Sequence, residues 1–460
     1  MIYTTEQTLI IYSESKCILI EALAGTGKTT TLKEYASQRR AEKILYLVYN
    51  RNMRKEAQKK FPGNVEVHTV NSFVYKNMKS SLPNPLINEY GTTLIINSFD
   101  ELKNESTDLA IEIAISAINY FNSYLNSSYK ADYFFQDISS PGMKFAKMIY
   151  ERINKDRNFP ITHSVLVKKF LDESDFSKFN FDSILIDEAQ DLDRSMLNIV
   201  DKLDGKKVFV GDTRQAIYGF RNTINIFESD MQGDRFSLTN SYRFGSNIAE
   251  LVNKITEIMY GSPVNIKGLG DEVGEIIYDK SESVDGPYTA YITRTNAHLF
   301  DVAFDLSQKG YDISIPYDWE LIKEILLSAF YLKVGLNNKV TSKQIKGYPN
   351  FEYFKEVVKR GGDTEMSFVI SVVEKHGLDL PKNLKKLETS LANPRYADYI
   401  LVTAHRSKGL EFFNVIMGDD FPININNIEE KNLVYVALTR AIEKIKVNNT
   451  IRQMLQSQSS

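Results

Sequence analysis

Short runs of β-branched and aliphatic residues recur along the chain, each ending in a polar or glycine-rich turn: KCILIEALAG, KILYLVYN, SILIDEAQD, KVFVGD, YTAYITR, YILVTAH, NVIMGDD and KIKVNN. Runs of this kind alternating with helical stretches are the mark of a parallel α/β fold. They form two groups. One occupies residues 17–75 and resumes near 181; the other starts near 238, reaches about 296 and resumes near 398. Between the members of each group the pattern is mostly helical, as in TDLAIEIAISAINYFNSYL and DWELIKEILLSAFYLKVGL. The pattern predicts two α/β lobes with parallel sheets, each interrupted by a mostly helical insertion. The first lobe takes residues 1–75 and 181–237 around an insertion at 76–180. The second takes 238–296 and 398–460 around an insertion at 297–397, its tail RQMLQSQSS being polar. Neither an internal repeat nor a low-complexity domain stands out.

Composition narrows the function classes. With 460 residues, 43% hydrophobic and 25% charged, the chain has the make-up of a soluble protein with more than one core. Its 56 Lys and Arg against 59 Asp and Glu give a net charge of -3, so any nucleic-acid binding has to come from a local groove rather than an overall positive field. A single cysteine, Cys17, excludes a disulfide framework, and with five scattered histidines it argues against a protein-built zinc site. The opening MIYTTEQTLIIYSESK lacks a basic start followed by an apolar stretch, and no run reaches membrane-spanning length without charges. The expectation is a cytoplasmic protein, nuclear if eukaryotic, with no membrane partner.

The chemistry sits at the ends of the apolar runs. ALAGTGKTT, residues 22–30, is a glycine-rich turn between a strand and a helix. The backbone N–H groups of Gly25, Thr26, Gly27 and the residues up to Thr30 suit a phosphate cradle; Lys28 reaches the outer phosphates and the Thr29 hydroxyl holds Mg²⁺. Ala22 stands where the general pattern has its first glycine. ILIDEAQD ends a strand with Asp187 and Glu188, one carboxylate to bind Mg²⁺ and its neighbour to orient or deprotonate the attacking water. Hydrolysis of a nucleotide is implied. After KVFV, the stretch GDTRQAIYGFRN interleaves Gln215 and Arg221 with Tyr218 and Phe220.

TTEQ precedes these motifs and LTNSYRF, YITRTN, VTAHRSKGLEF and NLVYVALTRA follow them, and in that order the chain resembles the UvrD/Rep/PcrA-like superfamily 1 DNA helicases. LYLVYNRNMRKEAQKKFPGNVEVHTVNSF and MGDDF are most similar to the helicase body of the F-box DNA helicases and their bacterial and phage relatives, although no F-box is visible. The resemblance implies two RecA-like P-loop lobes that use ATP and Mg²⁺. It assigns Gln7 to the adenine edge, Tyr242 to stacking on the adenine, Glu411 to the ribose hydroxyl and Gln215 to the γ-phosphate or attacking water. Arg243 and Arg440 of the second lobe would reach the γ-phosphate, as charge-stabilising arginines do in other NTPases. Tyr49, Tyr218 and Phe220 would stack on bases of single-stranded DNA, and Thr69, Arg294 and His405 would line the DNA path. Three positions depart from the family's pattern: Asn71 where histidine is usual, Thr213 where proline is, and Asn222 where glycine is.

The implied function is an ATP-dependent helicase or translocase moving 3′ to 5′ on single-stranded DNA and acting at duplex junctions. Two alternatives accompany it: a translocase that strips proteins from DNA or serves a nuclease partner in repair or phage defence, and an ATP-gated DNA-binding switch without processive motion.

Overall fold

In the computed structural model the apolar runs become the strands of two six-stranded sheets, every strand pairing parallel to its neighbours. The structure describes residues 3–78, 84–87, 89–219, 223–279, 281–284, 286, 288–361, 363–422 and 426–457. The chain divides into two compact units, Met1–Ala22 with Lys28–Leu238, and Leu23–Gly27 with Thr239–Ser460.

In the first unit the strand order across the sheet is Val65–Thr69, Ile44–Val48, Ser183–Ile186, Lys206–Gly211, Cys17–Ala22 and Asp234–Leu238. The ILYLV strand, Ile44–Val48, is buried at all five positions, as expected where both faces of a parallel sheet are covered. Its residues alternate between two cores. Ile44, Tyr46 and Val48 pack with Leu32 and Tyr35 of the helix Lys28–Gln38, while Leu45 and Leu47 join Phe73, Phe121, Phe145 and Phe170. The helices between Thr69 and Ser183, chiefly Thr107–Leu125, Pro141–Lys155 and His163–Glu173, thus share the second core with the sheet.

The second unit carries the order Glu275–Ile277, Ala441–Lys446, Phe412–Met417, Thr289–Thr293, Tyr399–Thr403 and Ile313–Ser314. Helices Trp319–Lys333, Phe351–Gly361, Thr364–His376 and Leu380–Thr389 pack through Leu326, Phe354, Val369 and Leu384 onto Phe300 and Leu401. Among the described residues no helix is long and apolar enough to cross a membrane.

Parallel pairing has one consequence for function: all strands of a sheet end on the same edge, where ligands of open α/β sheets bind. In the first sheet that edge carries Tyr49, Thr69, Asp187 and Asp212, each the last residue of its strand or the next one along.

Candidate functional site

The glycine-rich turn and the helix Lys28–Gln38 follow the strand Cys17–Ala22 directly. Gly25 and Gly27 have φ of 72° and 79°, the left-handed region that a side chain resists. At Gly25 there is also no room: a Cβ would come 2.6 Å from the Arg243 Cβ and the Ser241 Oγ. The Tyr242 N–H donates to the Gly25 carbonyl at 2.9 Å, and Thr26, buried, closes the turn by donating its hydroxyl to the Leu23 carbonyl at 2.8 Å. Helix N–H groups with no intrahelical partner begin at Lys28, a ready anion site. Thr30 lies half-buried and Thr29 exposed on the first turn.

A continuous chain of polar contacts starts at Lys28. The Lys28 ammonium meets Glu188 Oε1 at 2.9 Å, and the other Glu188 oxygen accepts the Gln190 amide at 2.6 Å. Gln190 Oε1 in turn accepts the Asp212 N–H at 3.1 Å, and the Asp212 carboxylate accepts the Gln215 amide at 2.6 Å. Gln190 and Asp212 are fully buried, so each polar atom needs its partner there. The chain connects the loop lysine with Gln215 through three strand ends. Burial works against the Lys28 charge, but the carboxylates of Glu188, Asp187 and Asp212 outweigh it and hold the ammonium above its ordinary range.

Asp187 is fixed on three sides. Its N–H donates to the Leu47 carbonyl at 2.9 Å, its Oδ1 accepts the Glu188 N–H at 3.0 Å, and its Oδ2 accepts the Tyr46 hydroxyl at 2.6 Å. Burial first, and then the neighbouring Glu188 charge, push the Asp187 carboxyl above the usual carboxylate range. Glu188 itself sits at φ 52°, ψ 44°. A glutamate held in the left-handed region costs about 1–3 kcal/mol and persists where surrounding contacts dictate it, as Lys28 and Gln190 do here.

The carboxylate of Asp187 and the Thr29 hydroxyl are hard oxygen donors of the kind Mg²⁺ takes, and among the described residues no group of three or more His, Cys, Asp or Glu forms a cage of its own. That fits a cation shared with phosphate oxygens and water.

In the second unit, Arg243 and Arg440 converge on Thr439. Arg243 Nη1 donates to the Thr439 carbonyl at 2.8 Å, and Arg440 Nη2 donates to the Thr439 hydroxyl at 2.9 Å. Arg440 is buried and also donates to the carbonyls of Val436 and Leu410 at 2.9 and 3.2 Å. The exposed Glu411 carboxylate pairs with Arg243 Nε at 3.1 Å. Tyr242 is exposed.

The remaining candidates are dispersed. Gln7 is buried, its amide shared between the Thr4 N–H at 3.1 Å and the Thr31 hydroxyl at 3.2 Å, which ties helix Thr5–Ile11 to the phosphate-loop helix. Tyr49 stacks on Tyr218, and Thr69 exchanges hydrogen bonds with Ser72 at 2.9 and 3.1 Å. Arg294 makes a two-pronged contact with Glu430, Nε lying 2.8 and 3.0 Å from the carboxylate oxygens, and His405 lies 3.8 Å from Glu429. Phe220 lies outside the described residues, as do Arg221 and Asn222.

Sequence reasoning missed Tyr46, Gln190, Asp212 and Glu430. Gln190 and Asp212 lie inside IDEAQD and VGDTRQ, so motif proximity could have raised them. Tyr46 gave no signal beyond an aromatic in an apolar run.

Two family models match the chain, the AAA domain over residues 6–221 and the UvrD-like helicase C-terminal domain over 370–449. The chain is similar to F-box DNA helicase protein 1 of Schizosaccharomyces pombe, with 27% identity over 98% of the chain and 58% of that protein. F-box DNA helicase 1 of Gallus gallus is 26% identical over 98% of the chain and 49% of that protein. The chain therefore spans about half the length of these relatives. Gabija protein GajB of Bacillus cereus is 22% identical over 94% of the chain and 92% of its own length. One model on the phosphate-loop half, the other on the motifs from VTAHRSKGLEF onward, and relatives aligned over nearly the whole chain agree: this protein belongs to the UvrD-like superfamily 1 helicases.

Proposed function

We propose that the chain is an ATP-dependent motor that moves 3′ to 5′ along single-stranded DNA and separates strands at duplex junctions. The observation that carries this reading is the buried chain Lys28–Glu188–Gln190–Asp212–Gln215, which joins the phosphate loop to the segment bearing Tyr218. A nucleotide that draws Lys28 onto its outer phosphates takes the lysine from Glu188. The freed carboxylate then becomes available to orient and deprotonate water. Gln215, at the far end of the same chain, senses that exchange three residues from Tyr218.

In this reading Thr29 and Asp187 hold Mg²⁺, which screens phosphate charge. Arg243 and Arg440 supply positive charge to the transferred phosphoryl group, Gln7 and Tyr242 take the base, and Glu411 takes the ribose once Arg243 turns from it. Tyr49, Tyr218 and Phe220 stack on bases, with Thr69, Arg294 and His405 along the strand. Strand displacement and removal of DNA-bound proteins are two outputs of such a motor, and a nuclease or repair partner would use either.

The test is ATP turnover with single-stranded DNA, duplex DNA and RNA added separately. Single-stranded DNA should stimulate most; stimulation by none of the three would overturn the reading.

A further inference from the structure

The strand Ile44–Val48 is apolar except for one hydroxyl, that of Tyr46. A phenol in a parallel strand buried on both faces needs a hydrogen-bond partner, since an unpaired polar group there is costly. Register supplies it. Tyr46 lies beside Leu185 in the neighbouring strand, and the Asp187 N–H bonds to the Leu47 carbonyl, so the carboxylate emerges next to the Tyr46 ring. The hydroxyl donates to Asp187 Oδ2 at 2.6 Å. On the other side the ring packs against Phe61, centroids 4.5 Å apart, which leaves it little freedom to turn away.

The Tyr46 side chain therefore holds the carboxylate assigned to the metal at the end of the neighbouring strand. A fold that needed only a filled core at this position would be served by phenylalanine, without a hydroxyl to satisfy. We propose that Tyr46 is a positioning residue for the divalent cation, its hydroxyl fixing the Asp187 carboxylate in the orientation that accepts Mg²⁺. This rests on the reading of the site as a Mg²⁺–nucleotide site. Tyr46 acts on the cation only through Asp187. Partners that orient metal ligands in this way typically change metal affinity by about 10- to 100-fold when removed.

Tyr46→Phe keeps the ring and removes the hydroxyl. The measurement is equilibrium binding of a non-hydrolysable ATP analogue, in EDTA and across a Mg²⁺ titration, for the parent, Tyr46→Phe, Asp187→Asn and the double variant, each checked by thermal unfolding. In EDTA the parent and Tyr46→Phe should bind alike. The Mg²⁺ concentration needed for tight binding should rise about tenfold or more in Tyr46→Phe. In the Asp187→Asn background the same change should add nothing, because the group it positions is gone. A folded Tyr46→Phe with the parent's Mg²⁺ dependence would overturn the assignment while leaving the nucleotide site intact, and loss of folding would make the hydroxyl purely structural, overturning it too. A parent whose nucleotide binding ignores Mg²⁺ would overturn the underlying reading and this inference with it.

Discussion

The rings of Tyr49 and Tyr218 are stacked, with centroids 5.5 Å apart and planes 16° from parallel. Both are half-buried and both follow strands of the same sheet, Tyr49 directly after Ile44–Val48 and Tyr218 in the segment after Lys206–Gly211. The Asn50 side chain caps the next helix by accepting from the N–H groups of Asn52 and Met53, which fixes the backbone beside Tyr49. A planar pair at a strand-end edge offers a base one face to stack on or a gap to enter. Tyr218→Ala and Tyr49→Ala should each weaken single-stranded DNA binding by ~1–3 kcal/mol. DNA-independent ATP turnover should stay near the parent value. Fluorescence anisotropy with a labelled oligonucleotide reads the first effect, and undiminished affinity in both variants would remove these rings from the DNA path.

Two changes at the nucleotide site should give different phenotypes. Lys28→Ala removes the charge from the outer phosphates and leaves Glu188 and Asp187 together in a buried site, so both nucleotide binding and stability should fall. Glu188→Gln should bind nucleotide and turn it over at least ~100-fold more slowly, the scale of one general base. Single-turnover hydrolysis beside equilibrium binding separates the two. A Glu188→Gln enzyme at the parent rate would place the base elsewhere.

Gln190 fills a fully buried gap between the Glu188 carboxylate and the Asp212 N–H. Gln190→Leu keeps most of the volume but removes the amide that joins Glu188 to Asp212. The expected cost is about 1–3 kcal/mol of stability for the two buried hydrogen bonds lost. Turnover should fall further than nucleotide affinity, because the base loses its orientation. Denaturant unfolding and a kcat against KM comparison check both.

Much of this arrangement was legible in the sequence because the motifs directly follow strands of one parallel sheet, and parallel strands deliver their ends to one edge. The eight apolar runs became strands, and TDLAIEIAISAINYFNSYL became the helix Thr107–Leu125. Strands Val65–Thr69 and Asp234–Leu238 were harder to see, since VEVHT and DRFSL mix polar and apolar residues as the partly exposed edges of the sheet allow. Tyr46 and Glu430 were not legible at all. Their roles come from strand register and from a contact spanning 136 residues, and neither distance nor register is written in a local pattern.

That long-range contact yields a prediction of its own. Glu430 holds the Arg294 guanidinium much as a phosphate would, with two oxygens against a planar fork. If Arg294 neutralises a DNA phosphate, Glu430 competes with the strand for it. Glu430→Gln should tighten single-stranded DNA binding several-fold at fixed salt, about 1 kcal/mol. Arg294→Ala should weaken binding and lower the log–log salt slope by roughly 0.7. Salt titrations of both variants provide the check, and unchanged slopes would exclude Arg294 from the path.

Stability should also depend on His68, which burial first, and then the charges of Lys76 and Arg54, push down to about 4 from 6.5. Above pH 6.5 the imidazole is neutral in folded and unfolded chains alike. Between there and about 4 the unfolded chain takes up a proton that the folded chain refuses, so stability present above 6.5 is lost as pH falls. Urea unfolding at neutral pH and near the acid end of that window should show this loss, and His68→Gln should reduce it. Equal pH dependence in parent and variant would assign the loss to other groups.

The central claim is that hydrolysis at Glu188 drives directed movement on one DNA strand. Strand displacement from duplexes carrying a 3′ or a 5′ single-stranded tail, with ATP and with the Glu188→Gln variant alongside, tests it most directly. The account predicts that the parent opens the 3′-tailed duplex in ATP, leaves the 5′-tailed one closed, and that Glu188→Gln opens neither. A parent that hydrolyses ATP in the presence of DNA yet opens neither duplex would contradict it, and would leave an ATP-gated DNA-binding protein in place of a motor.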